Sequence, residues 1–160
     1  MILDFHKNLL FMKNLLVLLF ITASFNLAAQ KTSYNTKKGF VAEGYDVVSY
    51  FVNKKPLTGK KKFQTTYDGV KFKFSTEKNL QTFNENPTKY IPQYGGYCAY
   101  AVAERNKKMY IDPEFYEIRD HKLYLFYNPW IGSVLENWQE GDVEKRREKG
   151  DINWKTLKNK

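Results

Sequence analysis

Of 160 residues only one is cysteine, Cys98, and only two are histidine, His6 and His121. A single cysteine cannot close an internal disulfide, so the fold must rest on apolar and aromatic packing. Sulfur and nitrogen ligands are too few for a four-ligand zinc site without carboxylates, which excludes zinc fingers. With one histidine beyond the first few residues, classical acid–base catalysis has few candidates, and no Ser-His-Asp order, phosphate-binding glycine loop or dinucleotide fingerprint occurs. A non-catalytic protein is the expectation. The longest apolar run, "LLVLLFITA" at Leu15 to Ala23, falls short of the roughly 18 residues of a membrane helix.

That run has a different use. Lys13 precedes it, the small residues Ala28 and Ala29 follow it, and Gln30 and Lys31 come next. A charged start, a short apolar centre and a small-residue end make a secretory signal. Residues 1–29 read as a signal peptide, its start better placed at Met12, with cleavage after Ala29 or Gln30. Residues 30–43 read as a flexible polar leader, and residues 44–160 as one domain of ordinary size. Once processed, the protein is expected in the periplasm or outside the cell, and not in the membrane. The formal charge is +9, and the chain stays basic without the signal. Its lysines and arginines are scattered, and the glutamates in "EKRREK", Glu144 to Lys149, give that run the look of a solvated helix face. An exported protein rarely meets nucleic acid, so no nucleic-acid partner is expected.

Aromatics are plentiful, at 17%, and the pattern around them predicts elements. Val47 to Val52 forms an apolar run that is extended or partly helical. In "KFQTTYDGVKFKFS", Asp68-Gly69 separates two alternating runs, the form of a type I′ hairpin, with Val70, Phe72 and Phe74 on one face. Ser75 or Thr76 caps a helix carrying Leu80 and Phe83, which Pro87 stops. After Gly95-Gly96, "YCAYAVAE" suits either strand or helix, and its alternation favours a strand. A second hairpin turns at Asp120-His121, with Leu123, Leu125 and Tyr127 on one face, and "PWIGSVLENWQEG" follows as a helix with Pro129 in its first turn and Ile131, Leu135 and Trp138 as its stripe. The whole is α+β: a small, mostly antiparallel sheet with packed helices.

The stretch Tyr67 to Ala99, "YDGVKFKFSTEKNLQTFNENPTKYIPQYGGYCA", resembles the YHS domain, and with "GYDVVSYF" ahead of it the chain looks like the exported YHS-domain proteins of bacteria. The resemblance implies a YHS-type single domain that binds a transition metal, copper foremost, since such domains occur beside copper-transporting ATPases. It also implies a departure. Metal-associated YHS domains carry cysteines ahead of the sheet and around the start of the helix, where this chain reads "FSTEKN", with Ser75 and Asn79. Those ligands do not carry over, and only the later cysteine, Cys98, does.

Three readings of Cys98 stand side by side. As a metal ligand it would act with His121 or Met109, the remaining soft or imidazole donors downstream of the signal. As a redox thiol it would profit from a helix start just after Gly-Gly, and would need an external thiol to turn over. As a small apolar residue it would pack among Tyr97, Tyr100, Ala101 and Val102. Cys98 and His121 are the candidate metal ligands, and a metal ion or small ligand is the expected partner. Tyr90, Tyr94, Tyr97 and Tyr100 could line a small pocket or build core. Asp46 reads as a turn residue.

Overall fold

A computed structural model describes residues 33–129 and 132–160; the expected signal peptide and Ile131 lie outside them. Residues 33–43, expected to be loose, are part of the fold. Strands β1 (Thr36–Lys37) and β2 (Phe40–Val41) pair antiparallel, and β2 continues in parallel beside a later strand through Phe40 and Lys71. Val41 is fully buried, and Asn35 donates from its backbone to the Gly95 carbonyl at 2.8 Å and from its side chain to the Gly96 carbonyl at 3.0 Å. A short polar sequence thus gains order from partners about sixty positions away, which local composition does not reveal.

The apolar run predicted over 47–52 resolves into one helical turn, α1 (Ser49–Val52). The first hairpin forms as expected from β3 (Lys60–Tyr67) and β4 (Val70–Phe74), with Asp68 and Gly69 at φ 49° and 75°. These are the left-handed values a type I′ turn demands. The main sheet runs β1-β2-β4-β3. Val70, Phe72 and Phe74 turn inward beneath α2 (Glu77–Glu85), where Phe83 stacks on Phe72 and Phe74 at 4.8 and 5.1 Å. Thr76 caps α2 by accepting from the Asn79 amide, and Pro87 opens α3 (Pro87–Tyr90).

The stretch that favoured a strand is a helix, α4 (Ala99–Arg105). Ala99, Ala101, Val102 and Ala103 are all buried, so burial on several sides hides the helical period, while the alanines supply intrinsic helix propensity. Their small side chains let α4 lie against the long helix α6 (Val143–Leu157), whose Asn153 amide donates to the Val102 and Ala103 carbonyls at 2.9 and 3.0 Å. The second hairpin, β5 (Asp112–Arg119) and β6 (Lys122–Phe126), turns where expected, with Asp120 and His121 at φ 49° and 58°. Its β6 is buried on both faces: Leu123 and Leu125 in one apolar cluster, Tyr124 and Phe126 in another. Tyr127 lies beyond the strand and is exposed. The following helix, α5 (Val134–Gln139), begins later than expected, because Ser133 caps it by accepting from the Glu136 amide, and Pro129 stands outside it.

Among the described residues no helix is long and apolar enough to cross a membrane.

Candidate functional site

Cys98 sits where three elements meet. Its amide donates to the Met109 carbonyl at 3.0 Å, its backbone bridges to Leu125 of β6, and its carbonyl accepts from the Val102 amide at 3.0 Å as α4 begins. The side chain is 1% exposed. It nonetheless borders a cavity of about 240 Å³ together with Tyr100, Arg105, Met109, Tyr127 and Asn137. Cys98 and Met109 therefore border one space. Burial pushes the Cys98 thiol above its ordinary range; the amides of Tyr127, Ala101 and Tyr100 and the Arg105 charge pull the other way without prevailing. A helix start does follow the glycines, as an activated thiol would want, but desolvation outweighs it.

The two glycines before Cys98 have a local reason. Gly95 and Gly96 adopt φ 60° and 81°, and a Cβ on Gly95 would come within 1.9 Å of the Ser33 carbonyl oxygen. Gly95 admits the entering chain, whose Ser33 backbone approaches it, while Gly96 meets only the Pro92 and Val41 side chains at ordinary contact distance.

His121, the second candidate ligand, lies at the tip of the β5–β6 turn, exposed, and borders a different and larger groove of about 630 Å³. The structure does not bring it into the Cys98 cavity. Its neighbour Asp120 is held by Arg147 at 2.6 Å, which draws the Asp120 carboxyl below its usual range. Of the four tyrosines around the glycines, Tyr100 alone borders the Cys98 cavity; Tyr90 and Tyr94 are buried in separate apolar clusters. They do not converge on one pocket.

Asp46 does more than shape a turn. Fully buried, its carboxylate accepts from the Val48 and Ser49 amides at 2.9 and 3.2 Å, from the Ser75 amide and hydroxyl at 2.8 and 2.6 Å, and from the Asn79 side chain at 2.7 Å. Five donors satisfy the charge without a cation. The clamp fastens α1 to the β4–α2 junction, and Ser75 and Asn79 are its far half.

The donors among the described residues bear on which metal would fit them. Among the described residues no three His, Cys, Asp or Glu side chains are grouped as a metal site, so a zinc or hard-cation cage does not fit. Cys98 and Met109, which border one cavity, carry the donor types that suit a soft monovalent ion such as Cu(I).

The family model of the YHS domain matches residues 48–94, from α1 through α3 to Tyr94. The chain matches no curated protein and no solved structure.

Proposed function

We propose, from the match of residues 48–94 to the YHS domain, that the chain is an exported binding module for a soft transition-metal ion, Cu(I) foremost. The observation that carries the reading is the pairing of Cys98 and Met109 on one cavity. Cys98 is the anchoring ligand as thiolate and Met109 the second sulfur donor. His121 takes no part, because it borders another groove. The YHS match over residues 48–94 supports metal handling in general, and the shared cavity of Cys98 and Met109 supports copper in particular.

A buried, protonated thiol makes metal uptake proton-coupled: the ion displaces the Cys98 proton, so affinity rises with pH. The same burial weakens the redox alternative, which needs a standing thiolate.

The test is Cu(I) titration against a competing chromophoric chelator, using mature protein purified from the cell envelope, whose intact mass also reports whether the chain starts at Gln30 or Lys31. Wild type should take one Cu(I) per chain. Cys98→Ser should take none, Met109→Leu should bind at least tenfold more weakly if a sulfur ligand contributes about 1.4 kcal/mol, and His121→Ala should match wild type. Equal uptake by wild type and Cys98→Ser would remove the reading.

A further inference from the structure

The larger groove, apart from the Cys98 cavity, is built from α1, α3 and the β5–β6 hairpin. Its volume of about 630 Å³ lies within the roughly 300–1,000 Å³ typical of small-molecule sites. Aromatic rings dominate its lining. Tyr50 meets Tyr116 edge-on at 4.8 Å, and Phe51 meets Tyr90 edge-on at 5.3 Å. The Tyr50 and Tyr116 hydroxyls are spent on the Pro113 and Lys54 carbonyls, at 2.8 and 2.9 Å. These two residues consequently offer the groove ring carbon rather than free hydroxyl.

The rim combines exposed apolar side chains with cations. Val52 and Ile118, both lining the groove, are 55% and 36% exposed, two of the five exposed large apolar side chains among the described residues. Lys54 and Lys89 also line it, are exposed, and make no ion pair with a carboxylate among the described residues. Lys54 is held at φ 53°, a left-handed conformation that costs a non-glycine residue about 1 kcal/mol or more. The Tyr116 hydroxyl bond to its carbonyl fixes it there. The one carboxylate in the lining, Glu117, is neutralised by Arg119 and receives the Gln139 amide at 3.0 Å. What remains is an aromatic floor, an apolar rim and two lysines without a carboxylate partner, Lys89 lying 5.4 Å from the centre of the Tyr90 ring.

We propose that this groove binds an amphipathic organic anion, an apolar chain or ring bearing one carboxylate. The apolar body covers Val52, Ile118 and the rings, and the carboxylate meets Lys54 and Lys89. A neutral ligand would leave the lysines unused, and a purely ionic one would leave Val52 and Ile118 in water.

Decanoate and 1-decanol, which share a chain and differ in charge, separate the two contributions by calorimetric titration. Decanoate should bind wild type at one per chain and more tightly than decanol. Lys54→Gln and Lys89→Gln should each weaken decanoate up to about fivefold, as an exposed ion pair allows, and leave decanol unchanged. Ile118→Glu, at an exposed position that spares the fold, should abolish both. Failure of decanoate to bind, or binding indifferent to both lysines, overturns the proposal. So does concentration-dependent self-association that Ile118→Glu removes while decanoate has no effect, since the groove would then serve a second copy of the chain.

Discussion

At the scale of a residue, Cys98 is governed by desolvation. Its folded thiol holds its proton to a higher pH than the unfolded thiol, whose ordinary value is about 8.5. The native state then binds more protons than the unfolded state once pH passes that value, and stability falls. The contribution is fully present below about pH 8.5 and is lost as pH rises through the folded value. Urea unfolding of metal-free wild type and Cys98→Ser at pH 7 and pH 9.5 should show wild type losing more stability across the interval. Alkylation of native apo protein should also remain slow at pH 8. An unchanged gap between the two proteins would mean that the thiol is not desolvated as its surroundings indicate. Sequence singled out Cys98 because it is unique, and named Met109 among its few soft partners. It could not separate His121 from them, because that depends on which end of a hairpin faces which groove. Asp46 was legible only as a turn former, since Ser75 and Asn79 reach it from about thirty positions away.

At the scale of an element, the legible parts were those coded by adjacent residues. Asp68-Gly69 and Asp120-His121 marked both hairpins because a two-residue turn places its demand for positive φ on those two positions. The cap on α2 was legible for the same local reason. Helix α4 was not, because its amphipathic signal vanishes when both flanks are buried. The long helix α6 adds a case where propensity and packing oppose each other. Gly150 lies inside it, and a Cβ there would meet the Tyr94 hydroxyl oxygen at 2.5 Å and Cζ at 2.9 Å. Tyr94 cannot easily retreat: it is 4% exposed, and its hydroxyl donates toward the Arg147 carbonyl and the Asp151 carboxylate at 3.2 and 3.1 Å. Alanine would gain about 1 kcal/mol in helix propensity and lose about 1–3 kcal/mol to overpacking. Gly150→Ala should therefore lower the thermal midpoint in wild type. In a Tyr94→Phe background, with the closest atom removed, the same change should be much less harmful or stabilising. An equal penalty in both backgrounds would place the conflict elsewhere.

At the scale of the whole molecule, the family match and the folding unit differ in extent. Residues 48–94 supply Phe72, Phe74 and Phe83, but the apolar cluster around them also contains Val41, Val47, Cys98, Ala101, Leu123 and Leu125. Strand β6 then passes its other face, Tyr124 and Phe126, to the second cluster with Trp138 and Leu157. Removing everything beyond residue 94 strips β6 and α4 from the floor of the first cluster, and removing residues 33–47 takes away the Asp46 carboxylate that satisfies Ser75 and Asn79. A chain so short also buries too small a fraction of its surface to offset ordering entropy without a disulfide or metal. The isolated 48–94 fragment should therefore show no cooperative thermal transition, while residues 33–160 should unfold in one step, with coincident circular dichroism and fluorescence changes. Two separated transitions in the longer chain would show that β6 does not couple the clusters. A cooperative transition in the fragment would show that the matched region is a domain in its own right, with the Cys98 cavity and the amphipath groove built onto its edge.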